Sequence, residues 1–353
     1  MEDLASPVQG LQKQSYVPRP PATLYYHESM KPLAQSIAER CSQPSVWPKV
    51  AEVRKTAELG QFVQCVKMVY IDWDKFPDGW PNLNIQNLKQ DCAGKDVIFL
   101  GSFHSPEVVF EELSVLYKIP RSLARSFTFI LPYFPTGTME REDTEGQIAT
   151  AKTLATLLSA IPLTARGPSQ IVIFDIHALQ ERFYFGDNVI PRLESAIPLL
   201  MRELKKLDDN LSIVFPDEGA FKRFHTMFTA FPNITCIKIR NGNTRSVKVK
   251  EGDPKDHHVV IIDDLVMTGG TLIQCAKALK AAGATKISAY VTHAVFPKQS
   301  WKKFTECDVP FEKFYITDSL PHSTEIAKKA PFELLSLCDV ISDTLLGFDL
   351  LQT

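Results

Sequence analysis

An excess of charge of either sign, paired cysteines and long apolar runs are all missing from this sequence, and each absence removes a class of protein. Lys and Arg number 39 against 41 Asp and Glu, a net charge of −2 over 353 residues. So small an imbalance gives no overall reason to expect nucleic acid or a membrane surface as partner. The seven cysteines (Cys41, Cys65, Cys92, Cys236, Cys275, Cys307 and Cys338) are scattered, with no C-x-x-C spacing. That points to a reducing compartment and away from a zinc ribbon or a disulfide framework. No run is long enough to span a bilayer, and Met1-Glu2-Asp3 places acid where a signal or transit peptide carries base, so the expected address is the cytosol. The absence of G-x-x-x-x-G-K-[ST] and G-x-G-x-x-G argues against a P-loop or dinucleotide fold. No G-x-S-x-G or paired Cys/His constellation suggests hydrolysis.

What is present is a chain 44% hydrophobic and 23% charged, long enough for about two domains that each bury their own core. Residues 1–22 are polar and Pro-rich (Pro18, Pro20, Pro21) and read as a loosely held arm. From Leu24 onward, apolar runs alternate with helical patterns, the mark of α/β architecture. Short, nearly continuous apolar runs predict buried parallel strands at Asp96–Gly101, Phe127–Tyr133, Ile171–His177, Ser212–Phe215, Thr235–Ile239, Val259–Asp263, Ile287–Val291 and Phe314–Thr317. Helices are expected at Pro106–Tyr117, Glu145–Ala160, Val189–Leu207 and Leu272–Ala282. The layout strand, Gly-containing loop, helix occurs at Ile130–Leu157 and again at Val259–Ala282. Two related α/β domains follow, 23–187 and 188–353, each a mostly parallel sheet flanked by helices, with the boundary at Gly186-Asp187-Asn188.

The chemistry concentrates at Val259–Ala282. An apolar strand runs into Asp263-Asp264, then Leu265-Val266-Met267, the loop Thr268-Gly269-Gly270-Thr271, and a helix ending at Gly283. Two glycines let the backbone approach a ligand, and a helix N-terminus presents free amides and partial positive charge. Thr268 and Thr271 add hydroxyl donors, so the parts suit a phosphomonoester. Two carboxylates beside a phosphate repel it unless they accept from sugar hydroxyls or hold a cation; a ribose with vicinal hydroxyls satisfies them. In isolation Asp263-Asp264 also reads as a turn cap and the glycines as tight packing, but the whole ordered set favours the site.

The segment resembles the phosphoribosyl pyrophosphate motif of type I phosphoribosyltransferases. Asp175-Ile176-His177-Ala178-Leu179-Gln180, Pro216-Asp217-Glu218-Gly219 and Phe134-Pro135 occur in the order seen in ribose-phosphate pyrophosphokinases, and the loops are most similar to their plant-type second class. The resemblance covers nearly everything after residue 60 and implies two phosphoribosyltransferase-like domains. It also implies transfer of a diphosphoryl group from ATP to ribose 5-phosphate with Mg2+, and a homo-oligomer.

Residue by residue, the resemblance gives Lys238 and Arg240, on one side of an alternating strand, to the transition state. It gives Asp175 and His177 to the metal and the ATP phosphates, with His177 also among the catalytic groups, and Asp217 to the ribose and metal. The loop Phe76-Pro77-Asp78-Gly79-Trp80 aligns with one that reaches ATP of a neighbouring subunit, with Phe76 and Asp78 as its contacts. The chain departs from the first class at Thr138-Met139-Glu140, where Arg-Gln-Asp is usual and Arg141 is the substitute, and at Met267, where an acid is usual. A phosphoribosyltransferase and a non-catalytic regulatory homologue are the competing readings. Duplicated domains, the Asp-x-His strand end and the Lys-x-Arg pair favour the synthetase.

Overall fold

The computed structural model describes residues 21–43, 66–207, 210–241 and 244–346. Residues 1–20 of the expected arm lie outside the described residues, and Ala22 already belongs to a strand.

The strands in chain order are β1 (Ala22–Tyr26), β2 (Val66–Val69), β3 (Ile71–Lys75), β4 (Pro81–Ile85), β5 (Asp96–Leu100), β6 (Ser126–Leu131), β7 (Ser169–Phe174) and β8 (Val189–Glu194). They continue with β9 (Leu211–Phe215), β10 (Asn233–Asn241), β11 (Thr244–Glu251), β12 (His258–Val266), β13 (Lys286–Ala294), β14 (Phe314–Thr317) and β15 (Phe332–Leu335). The helices are α1 (Lys31–Ser42), α2 (Leu88–Cys92), α3 (Pro106–Arg121), α4 (Thr150–Ser159) and α5 (Ile197–Leu204). The rest are α6 (Glu218–Phe224), α7 (Gly270–Ala281), α8 (Lys302–Thr305), α9 (Ser323–Ile326) and α10 (Cys338–Leu346).

Two sheets result. The first has the order β2-β1-β5-β6-β7-β8 and is parallel throughout. The second has the order β11-β10-β9-β12-β13-β14-β15, parallel except where β11 returns antiparallel to β10. A separate hairpin pairs β3 with β4. All five residues of β9 and all four of β14 are buried, as expected of strands covered on both faces, which is why the apolar runs revealed them.

Two expectations are corrected. The stretch Val189–Leu207 is not one helix: its first six residues form β8, which pairs with β7, and only Ile197–Leu204 is helical. β8 is an edge strand, where Pro191 costs no ladder hydrogen bond and Ile190 stays half exposed. The first sheet therefore extends to Glu194, past the expected boundary at 187.

The two halves share one core cluster. It runs from Leu24, Ile37 and Phe174 through Leu200 on α5 to Phe215, Val260 and Tyr290 of the second sheet. α10 closes that layer by packing on α1, where Arg40 meets Asp339 at 3.0 Å and Asp343 at 3.3 Å. Among the described residues, no helix is long and apolar enough to cross a membrane.

Candidate active site

An open cleft of about 960 Å³ lies at the carboxyl ends of β9 and β12, the end of an open α/β sheet where ligands collect. Both halves wall it. The second contributes residues 263–272, Asp217 to Ala220, Lys222 to Phe224, Ile237 and Lys238; the first contributes Glu140, Arg141 and His177 to Gln180. The cleft therefore brings together Arg141, His177, Asp217, Lys238, Asp263, Asp264, Thr268, Gly269, Gly270 and Thr271.

The loop shape follows from its residues. Gly269 sits at φ 78°, left-handed, as the cap of α7. A Cβ there would lie 2.4 Å from the Phe304 ring, so conformation and space both demand glycine. Turned this way, the chain presents the start of a twelve-residue helix to the cleft.

The acids are held in two ways. Asp217 Oδ1 caps α6 by accepting from the Ala220 amide at 3.0 Å, while its Oδ2 accepts from Lys238 Nζ at 2.7 Å. Burial pushes this carboxyl up, but the Lys238 hydrogen bond, the amides of its cap and the Lys238 charge prevail and hold it below the ordinary range. Asp263 goes the other way. Burial, then the neighbouring charges of Asp264 and Asp217, push it well above the ordinary range. The cleft wall thus sets the carboxylates of Glu140, Asp217, Glu218, Asp263 and Asp264 beside the cations Arg141, Lys222, Arg223 and Lys238.

His177 crosses between the halves. Its Nδ1 lies 2.7 Å from Asp264 Oδ2, and that hydrogen bond raises its pKa against the lowering effect of burial. Behind it Glu181 is fully buried, accepts from the Ala178 amide and is pushed up to about 7 by burial. Glu181 and the cleft residue Glu140 were not singled out from sequence; their only signal was a place inside or beside the quoted motifs.

Three expected residues are elsewhere. Asp175 does not reach the cleft. It is 1% exposed, and its carboxylate accepts from Ser195 Oγ at 2.7 Å, the Ala196 amide at 2.9 Å and Thr292 Oγ1 at 2.7 Å. These three hydrogen bonds make Asp175 a strut that ties the end of β7 to the start of α5 and to β13 across the seam. His293 reinforces the same seam through Nε2, 3.0 Å from the Phe174 carbonyl. Phe76 and Asp78 lie on the hairpin turn between β3 and β4. Phe76 is half exposed, and Asp78 lines a separate hollow of about 270 Å³ with Trp80 and Phe110. The Arg240 side chain lies outside the described residues.

A sheet of this topology with a glycine-turned loop at its carboxyl edge defines a phosphoribosyltransferase-type α/β protein. The family model described as "Phosphoribosyl transferase domain" matches residues 191–317, and the "N-terminal domain of ribose phosphate pyrophosphokinase" matches residues 22–161. The chain belongs to the ribose-phosphate pyrophosphokinase family. It is 54% identical over 290 residues to ribose-phosphate pyrophosphokinase 3, chloroplastic, of Arabidopsis thaliana, covering 80% of this chain and 70% of the relative. It is 52% identical over 288 residues to ribose-phosphate pyrophosphokinase 3, mitochondrial, of Spinacia oleracea, covering 79% and 71%. In fold it is similar to the phosphoribosylpyrophosphate synthetase of Mycobacterium smegmatis, with a TM-score of 0.73 at 19% identity over 93% of this chain and 98% of that one. The relatives bear out the plant-type resemblance. They also overturn the expected cytosolic address, since these two plant proteins are chloroplastic and mitochondrial.

Proposed function

We propose that the cleft between the two halves carries the family reaction: the diphosphoryl group of ATP passes to the 1-hydroxyl of ribose 5-phosphate, giving 5-phosphoribosyl 1-pyrophosphate and AMP. The observation that carries this reading is the meeting, in one cleft, of a ribose-phosphate loop and Lys238 from the second half with His177 and Arg141 from the first. A loop for the sugar phosphate alone needs only one domain; groups arriving from across the seam suit a second, polyanionic substrate.

In this reading the 5-phosphate rests on the amides and hydroxyls of Thr268–Thr271, and the ribose hydroxyls donate to Asp263 and Asp264. The O1–Pβ bond forms as the bond from Pβ to the oxygen it shares with Pα breaks; that oxygen leaves with AMP, and the proton of the 1-hydroxyl is released to solvent. Phosphoryl transfer depends on positioning and charge more than on a strong base. Lys238, aligned by Asp217, neutralises the moving group, with Arg240 as its partner on the same strand. His177, aligned by Asp264, and Arg141 hold the ATP phosphates. Asp217, Asp263 and Asp264 offer only oxygen, the donor set Mg2+ prefers. A bound Mg2+ would neutralise the triphosphate and hold its reacting phosphorus in line.

The exposed Phe76 and Trp80 on their hairpin suit a surface shared between copies, consistent with a homo-oligomer in which Phe76 and Asp78 reach a neighbour's ATP. The relatives' compartments support an organellar address. Purified protein given ribose 5-phosphate, ATP and magnesium is expected to release AMP and no ADP. Release of ADP, or no turnover, would sink the proposal.

A further inference from the structure

The ribose-phosphate loop has a back as well as a front. Behind it, on the side away from the cleft, runs the segment Pro297–Thr305, which contributes no residue to the cleft wall. Successive loop residues are each held by this segment. Ser300 Oγ donates to the Met267 carbonyl at 2.8 Å, Lys303 Nζ donates to the Thr268 carbonyl at 3.2 Å, and the Phe304 ring lies under Gly269. One step earlier, the Val266 carbonyl accepts from the amides of Val295 at 3.1 Å and Phe296 at 3.3 Å.

Peptide planarity turns these contacts into an aiming device. In a trans peptide the carbonyl of one residue and the amide N–H of the next point in opposite directions. A Met267 carbonyl drawn back by Ser300 therefore turns the Thr268 N–H forward, and a Thr268 carbonyl drawn back by Lys303 turns the Gly269 N–H forward. Within the described chain, the amides of Thr268, Gly269, Gly270 and Thr271 donate to no protein acceptor. The first two are aimed from behind, and the last two are the free first amides of α7. Their convergence makes a concave set of donors for an anion.

The bracing segment is itself held in an unfavourable conformation. Phe296, Lys298 and Gln299, none of them glycine, sit at φ 41°, 53° and 58°. Left-handed backbone at such residues persists only where surrounding contacts enforce it, and it clusters where a shape is needed for function.

We infer that Ser300 and Lys303 are positioning residues for ribose 5-phosphate. They touch no substrate and act by fixing the peptide planes that present the loop amides. The inference deepens the proposed function and rests on its placement of the 5-phosphate.

The test uses the full chain, with calorimetric titration of ribose 5-phosphate beside steady-state AMP release. The Ser300→Ala/Lys303→Met double variant is expected to raise both Kd and KM for ribose 5-phosphate about tenfold, as loss of two modest hydrogen bonds would. The KM for ATP and the melting temperature are expected to stay put, and Lys303→Arg to recover most of the affinity. Unchanged ribose 5-phosphate binding in the double variant, or a parallel rise in the KM for ATP, overturns the inference. If the double variant does not fold, Lys303→Met alone, at an exposed position, is expected to weaken ribose 5-phosphate about threefold, and no change there overturns it equally. Failure of the unaltered protein to release AMP while it still binds ribose 5-phosphate would sink the reaction proposed above and leave the brace standing. Failure to bind the sugar phosphate would remove both.

Discussion

Replacing Asp175 by Asn is expected to lower the melting temperature of the metal-free protein by about 6 °C, taking roughly 2 °C per kcal/mol for a chain of this size. The carboxylate accepts three hydrogen bonds, from Ser195, Ala196 and Thr292, and lies 3.9 Å from the Arg223 guanidinium. Hydrogen bonds to a charged group are worth about 1 kcal/mol more than neutral ones, so neutralising this acceptor costs about 3 kcal/mol over the three. The amide can still offer one carbonyl oxygen to Ala196 and Thr292, which keeps the loss from growing further. Arg223, nearly buried, would be left with an uncompensated charge, which adds to the cost. Differential scanning calorimetry in chelator measures the shift directly, and magnesium titration of AMP release measures the alternative role. A melting temperature unchanged in chelator, together with a raised magnesium requirement, would refute the strut and return Asp175 to the metal.

Lys238→Ala is expected to lower turnover at least ~100-fold, since it removes the cation nearest the transferred group. The melting temperature should barely move, because its half-exposed pair with Asp217 is worth at most about 1 kcal/mol; near-normal AMP release would exclude the assignment. His177 is expected to titrate above the ordinary histidine value of about 6.5, because Asp264 stabilises its charged form. The contact is therefore fully present below that ordinary value and fades as pH rises through the elevated one, weakening the seam. NMR titration of the imidazole in metal-free protein checks this, and Asp264→Asn should bring the midpoint down; an unmoved midpoint would show that Asp264 is not its cause.

Much of the second half was legible because its strands are buried on both faces. Val259-Val260-Ile261-Ile262 carries no polar residue, so a continuous apolar run sufficed to find β12. The edge was harder. β8 alternates weakly, contains Pro191 and runs within two residues of a helix, so the helical period of Leu199, Leu200 and Leu204 spread backward over it. At the site, the ribose-phosphate loop could be read because loop, glycines and helix are contiguous in the chain. The surroundings of Asp175 could not, because one of the two hydroxyls that hold it belongs to Thr292, 117 positions later. Ser300 and Lys303 were hidden for the same reason: each contacts the loop from more than thirty residues away, and no local pattern marks a side chain whose task is to hold a distant carbonyl.

The packing of α10 on α1 bears on how the molecule is made. A nascent chain emerges from its N-terminus, and domains commonly fold in that order. Here α1, from the start of the first half, packs inward on β1 and β2 but finds its remaining cover in the last described helix, where Arg40 meets Asp339 and Asp343. The first half therefore leaves the ribosome with one flank of α1 bare until α10 has been made. A premature stop before Cys338 would damage the half already made, not only the half being made.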